Sequence, residues 1–331
     1  MSSEVYQIRD EWSMAYVGDT PWHTLGQELE YDAPLEVWAE KAHLDWEIEE
    51  VPVGYWDPSN GNAFAIPDRK ALMRGDNKNY LSMVSNRYKV VQPKEILDFF
   101  KSLIDTGDFR MKTAGSLLGG RRLWALAEIG KSAKIFGQDR IDGYLLLATS
   151  CDGSLANTGM FTTVRVVCNN TLQMSIHEGE GGRSRRYIKI PHSRKFNPDE
   201  MKNELGLGEY AFEKFIEKAG EMAKYRLNDK DALELFTGLF TKEDEEGKYV
   251  TEVGKNTLKK IWGVYKGGRG QDLRSAKDTL WGAVNAITRY VDHERGYKSR
   301  DTNLNNAWMG GGFFLKEKIW NSAEELIKKA A

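Results

Sequence analysis

The chain reads as an α+β protein: an antiparallel β-meander with covering helices in the N-terminal part, followed by an all-helical C-terminal part. Three observations predict this. Between Phe109 and Ile190, short runs rich in valine, leucine and aromatics are separated by Gly-Gly and Asp-Gly turns, the pattern of hairpin-linked strands. After Asn197 the apolar residues recur at helical spacing instead. The composition, 29% charged and 40% hydrophobic over 331 residues, suits a folded chain long enough for two cores. The change of character sets the expected division: a mixed α+β domain over residues 1–196 and a helical domain over 197–331.

Taken in order, Pro34 to His43 opens with proline and places Leu35, Trp38, Ala39 and Ala42 on one helical face. Trp46 to Val51 reads as a strand. Asp57 to Asn62 (DPSNGN) is a hairpin turn that returns through Phe64-Ala65-Ile66. Leu81 to Val84 and Tyr88 to Val91 flank another tight turn. Pro93 to Thr106 aligns Ile96, Leu97, Phe100, Leu103 and Ile104 on a stripe, with Gly107 as its stop. The strands expected next are FRMKTAG, RRLWALAEI, DGYLLLATS, MFTTVRVV and RRYIKI, with the Pro93 helix available to cover one face. Pro198 opens a helix expected to reach about Arg226, and the acidic TKEDEEGKY reads as an exposed loop. Helices are expected over 256–265, 272–294 and 313–329, with the glycines of KGGRG and MGGG as flexible joints.

Several function classes are disfavoured at once. Net charge is −2, so attraction to a polyanion must come from a local patch. No apolar run approaches the roughly 20 residues that cross a bilayer, and MSSEVYQIRDEW lacks the basic start and apolar core of a secretory signal, so a cytoplasmic location is expected. Two cysteines and five scattered histidines offer neither a disulfide framework nor a recognisable metal-ligand spacing. Nucleophile-elbow, zinc-protease and dinucleotide fingerprints are missing, and GGRRLW lacks the lysine and hydroxyl of a phosphate loop.

One local patch stands out. Gly181 to Asn197 carries Arg183, Arg185, Arg186, Lys189, Arg194 and Lys195 with no acid, and Tyr187 offers a face on which a base can stack. The alternative is a strand edge whose cations discourage aggregation. Just upstream, FTTVRVVCNNTL reads as a buried strand through Val164, Val166 and Val167, which leaves Arg165 pointing to a wet or functional face. Asn169 and Asn170 suit a sharp turn, and Thr171 can cap a following helix. Arg121 and Arg122, after Gly119-Gly120, can add two cations to the same surface, although alternation does not say which faces outward. Asp139, Asp142 and Asp152 are the carboxylates that a magnesium-dependent nuclease would use, but each sits at a turn where aspartate is common for backbone reasons. Cys168 with His177 is more simply a buried cysteine than a nucleophile. Trp12 and Trp22, in irregular polar sequence, suit an arm docked on a second subunit or packing against their own domain.

PWHTLG (21–26), SNRYKVVQP (85–93), TAGSLLGGRRLWALAEI (113–129), TTVRVVCNNTL (162–172) and WGAVNAITRYVDH (281–293) together resemble the phage- and plasmid-borne family catalogued as a domain of unknown function 932. The family carries no established activity, so the resemblance brings over no catalytic residue. Where that family places His-Thr after the CNNTL turn, this chain has His192-Ser193, which keeps a hydroxyl. A looser likeness is to phage single-strand annealing proteins, which form rings or filaments and hold DNA in a basic groove without hydrolysing a nucleotide. The resulting expectation is a non-enzymatic single-stranded DNA-binding protein of a phage or plasmid that promotes strand annealing or recombination, assembled as a homo-oligomer, without cofactor, metal or membrane. Its groove would be built from Arg121, Arg122, Arg165, Arg183, Arg185, Arg186, Tyr187, Lys189 and Lys195, with Asn169 and Asn170 shaping the turn beneath it. The alternatives are a phage-encoded protein that binds a host protein, and the magnesium-dependent nuclease.

Overall fold

The computed structural model describes residues 7–8, 11–18, 26–105, 109–167, 170–173, 177–178, 184–185, 187–205, 208–243, 249–251, 253–296 and 300–330. The N-terminal segment holds β1 (Gln7–Ile8), β2 (Glu11–Trp12), β3 (Met14–Val17) and β4 (Gln27–Leu29), followed by α1 (Leu35–Lys41). A three-stranded antiparallel sheet follows, made of β5 (Ile48–Asp57), β6 (Asn62–Arg74) and β7 (Tyr80–Ser85), and then α2 (Pro93–Ile104). The main sheet is built from β8 (Arg110–Leu117), β9 (Arg122–Ile135), β10 (Asp139–Ser150), β11 (Asn157–Arg165) and β12 (Asn170–Gln173), each antiparallel to the next. β3 and β4 extend it beyond β8, β3–β4 being a parallel pair. After β13 (His177–Glu178) and β14 (Ser184–Arg185), β15 (Ile188–Ile190) pairs with the start of β11.

The chain then turns mainly helical: α3 (Pro198–Leu205), α4 (Gly208–Lys224), α5 (Asp229–Gly238), α6 (Lys255–Gly267), α7 (Leu280–Arg289), α8 (Arg300–Met309) and α9 (Gly311–Ala330). A single π turn, Tyr290–Glu294, continues α7. These helices pack on the sheet. On one face, Trp308 of α8 meets Trp124 edge-on at 4.8 Å, and Asn305, one turn earlier, accepts from Arg122. Arg122, Trp124 and Leu126 are alternate residues of β9, so they share that face. On the other face Trp281 of α7 reaches the start of β10, where its indole nitrogen donates to Asp139 at 3.0 Å. The buried hydrophobic residues form one continuous cluster running from Met14 to Ala323.

The molecule is thus mixed α+β, with antiparallel-rich sheets and helices mainly in its C-terminal part. Several expectations need correcting. The C-terminal part is not all-helical, because TKEDEEGKYVT closes as a hairpin of β16 (Thr241–Glu243) and β17 (Tyr249–Thr251). The helix expected from Pro198 to Arg226 is two helices, α3 and α4. Residues 272–279 are turns rather than helix, since they carry Ser275 inward to the sheet. The KGGRG segment is no flexible joint: Gly270 is buried, and its carbonyl accepts from Arg165 at 2.8 Å. Thr171 caps no helix. It lies in β12, where its amide and hydroxyl donate to Asp292 at 2.9 and 3.1 Å. Gly107, expected to stop the Pro93 helix, and Trp22 and Cys168 lie outside the described residues.

Candidate nucleic-acid interface

Arg121 and Arg122 are set by the turn before them. Leu118, Gly119 and Gly120 all have positive φ, at 55°, 70° and 98°. A methyl group on Gly120 would sit 2.9 Å from the Arg74 guanidinium and 3.0 Å from the Trp46 ring, so this position needs glycine both for its backbone and for its space. Arg74 itself lies over the Trp46 ring at 4.0 Å and is held by both oxygens of Asp76. The turn therefore rests on a fixed platform. It sends Arg122 inward to Asp152 (2.8 Å), Ser154 and Asn305, and leaves Arg121 exposed. Burial opposes ionisation of Asp152, but the Ser154 hydroxyl and amide and the Arg122 charge outweigh it and keep the carboxyl below its ordinary value.

The same end of the sheet is closed by a stacked pair, Tyr88 on His192, with ring centroids 4.3 Å apart. The Tyr88 hydroxyl donates to the Ser150 carbonyl, and burial pushes its pKa upward. His192 Nδ1 lies 2.9 Å from the Lys89 carbonyl, and Nε2 lies 3.1 Å from that of Leu155. Burial lowers the His192 pKa, while the Lys89 and Leu155 carbonyls pull it the other way. The Lys89 amide donates back to the His192 carbonyl at 2.6 Å, and the Cys151 amide donates to the Arg121 carbonyl at 2.8 Å. Cys151 is a buried thiol whose pKa burial pushes up to about 12, which makes it inert as a nucleophile.

Around this knot stand Arg87, Lys89, Arg121, Lys189 and Lys195, all exposed, and none is ion-paired to a described residue. The nearby acids are already taken: Asp152 by Arg122, Glu200 by Arg194 at 3.1 Å, and Asp68 by Arg69 at 3.5 Å. Among the described residues, the result is a rim of positive charge without paired carboxylates at one end of the sheet.

Of the expected groove residues, the structure brings Arg121, Lys189 and Lys195 to this rim and removes others from it. Arg165 does not face water. It is 2% exposed, pairs with Asp139 at 2.7 Å and donates to Gly270. Val166, expected inside, is 40% exposed, because β11 ends at Arg165 and the chain turns outward. Arg122 is likewise buried. Tyr187 is half-buried between the Phe313 ring at 5.9 Å and the Lys189 ammonium at 4.4 Å, so it braces α9 rather than offering an open stacking face. Asn170 turns inward too, donating to the Asn285 carbonyl at 3.0 Å. The backbone of Arg185 pairs with His177 in the β13–β14 hairpin, while Arg183, Arg186 and Asn169 lie outside the described residues.

The three aspartates do not converge, since Asp139 pairs with Arg165, Asp142 with Arg140 and Asp152 with Arg122. Among the described residues no group of three metal-ligating side chains is assembled. Sequence reasoning missed Arg87 and Lys89. Their signal was the Asn-Arg-Tyr-Lys turn after β7, which alternates exposed cations around a buried tyrosine.

The family described as "Domain of unknown function (DUF932)" matches the chain over residues 80–309. No curated protein and no solved structure matches it.

Proposed function

The chain belongs to this family of unknown function, and from its own residues we propose that it binds single-stranded nucleic acid without breaking a bond in it. The observation that carries the reading is the rim of Arg87, Lys89, Arg121, Lys189 and Lys195, exposed and ion-paired to no described residue, in a chain of net charge −2. Uncompensated cations on a fixed scaffold displace counterions from a phosphate backbone, and this is the main source of sequence-independent affinity. The Tyr88–His192 stack and the Arg122–Asp152 pair hold the rim in place. A nuclease reading has less support, because Asp139, Asp142 and Asp152 each neutralise a different arginine.

Fluorescence anisotropy with a labelled single-stranded oligonucleotide across a salt series tests the proposal. Five phosphate contacts give a log–log salt slope of about −3.5 for a single strand. Reversing four charges together (Arg87→Glu, Lys89→Glu, Arg121→Glu, Lys195→Glu) should abolish most of the affinity and flatten the slope to about −0.7. Unchanged affinity in a folded quadruple variant would overturn the assignment.

A further inference from the structure

At the end of the main sheet opposite the rim, the turn between β9 and β10 carries an aromatic ring on a backbone that does not suit it. Phe136 has φ 50°, and Gly137 follows at 79°. Left-handed backbone ordinarily belongs to glycine or asparagine, and a bulky side chain there is strained. The ring is not buried in return. Phe136 is 40% exposed, and the ring contact it makes among the described residues is with the Arg274 guanidinium, 5.3 Å from its centre. Strain of this kind marks positions that present a side chain to a ligand.

The surroundings of the ring are basic. Two residues before it, Lys134 lies directly across from Arg140, so two like charges share one face of the hairpin. The Arg140 carbonyl accepts from the amide of the exposed Val166 at 3.0 Å. The next residue, Val167, packs so closely on Gly270 that a methyl group there would sit 2.6 Å from it, and this seats the exposed Arg269 beside the end of β11. Lys134, Arg269 and Arg274 are ion-paired to no described residue. Two acids oppose the four cations: Asp142 holds Arg140 at 2.8 Å, and Asp272 is exposed on the segment that carries Arg269 and Arg274.

We propose that this end of the sheet is a second contact surface for single-stranded nucleic acid, on which a base stacks on Phe136 while Arg269 and Arg274 take the flanking phosphates. An aromatic face beside arginines is the combination that holds an unpaired strand, because every base has a face to stack and every nucleotide a charge to neutralise. Lys134 and Arg140 add to the local potential without needing to touch the strand. Arg121 and Phe136 bracket β9, so the two surfaces stand up to about 43 Å apart at about 3.3 Å per residue. The inference shares its ligand class with the nucleic-acid reading above and none of its residues.

Anisotropy with a labelled oligothymidine of about 20 nucleotides, long enough at about 3.4 Å per nucleotide to reach both ends, tests this on the full chain. Phe136→Asn should lower affinity about tenfold while the melting temperature holds or rises, since asparagine adopts the left-handed turn more readily. Seven phosphate contacts give the wild type a log–log salt slope of about −4.9, and Arg269→Glu with Arg274→Glu should flatten it by about 1.4. The rim alone leaves its quadruple variant a slope of about −0.7, whereas a second surface leaves about −2.1. A residual slope near −0.7, or unchanged affinity in both the Phe136→Asn and the double-arginine variants, would overturn this proposal and leave the rim standing. Affinity lost in those variants but kept in the rim variant would do the reverse. No binding of the oligonucleotide at low salt would remove both. Labelled polyglutamate that binds as tightly and is lost in the same variants would give the surface to an acidic protein and overturn the proposal.

Discussion

Two sets of arginines in this molecule occupy similar positions in sequence and opposite positions in space. Arg165 and Arg122 lie at strand ends beside glycines or turns and are buried, each against its own aspartate. Arg121 and Arg87, also beside turns, are exposed and unpaired with any described residue. The first set joins layers: Asp139 ties β10 to Arg165 of β11, to Ser275 and to Trp281 of α7. The second set flanks the end of the sheet that the Tyr88–His192 stack closes, with no ion pair to any described residue. A cation in a protein of near-zero net charge is therefore available to a ligand only where the fold has not already supplied a carboxylate.

That contrast can be broken most severely inside. Asp139→Ala leaves the Arg165 guanidinium buried without its counter-charge and should cost about 3–5 kcal/mol in urea denaturation. Asp292→Ala, which strands Lys316 (0% exposed) and opens the edge of β12, should cost a similar amount. Next in size, Gly120→Ala should destabilise by about 2–3 kcal/mol, from the positive φ together with the clash on Trp46 and Arg74. Gly119→Ala meets no neighbour and should lose only about 1 kcal/mol, as a pair of thermal melts will show. A gentler effect comes from pH. His192 is held below its ordinary 6.5, so the unfolded chain binds its proton first. Its contribution to stability is complete above pH 6.5 and declines as pH falls from there toward the folded pKa, a slope that His192→Gln should remove. Smallest of all, Arg121→Ala and Lys195→Ala should each change stability by less than about 0.5 kcal/mol while lowering oligonucleotide affinity.

Local chemistry made much of the fold legible. The DPSNGN turn falls between paired Asp57 and Asn62, and Pro93 opens α2 within a capping box made by Gln92 and Glu95. The strands of the main sheet were readable from their β-branched runs and glycine turns. Less legible was what lies on each face of those strands. Alternation says that Arg165 and Val166 point opposite ways, but it does not say which way is out when helices cover both sides of the sheet. The burial of Arg165 depends on Asp139, 26 residues earlier, and on Gly270, 105 residues later, and no local pattern reports either. The same holds for Thr171, whose hydroxyl reads as a cap until Asp292 is placed beside it. The exposed cations Arg87 and Lys89 went unnoticed because they are few and sit among apolar neighbours, whereas the acid-free tract from 181 to 197 drew attention by density alone.

The seal on β12 also has a consequence in time. The strand's outer edge is closed by Asp292, and that carboxylate is neutralised by Lys316, which also donates to Thr171 across 145 residues of chain. At about 5–20 residues per second, a ribosome delivers the lysine roughly 7–30 s after the threonine. For that interval the nascent sheet has an open border, and the chain is most in need of a chaperone.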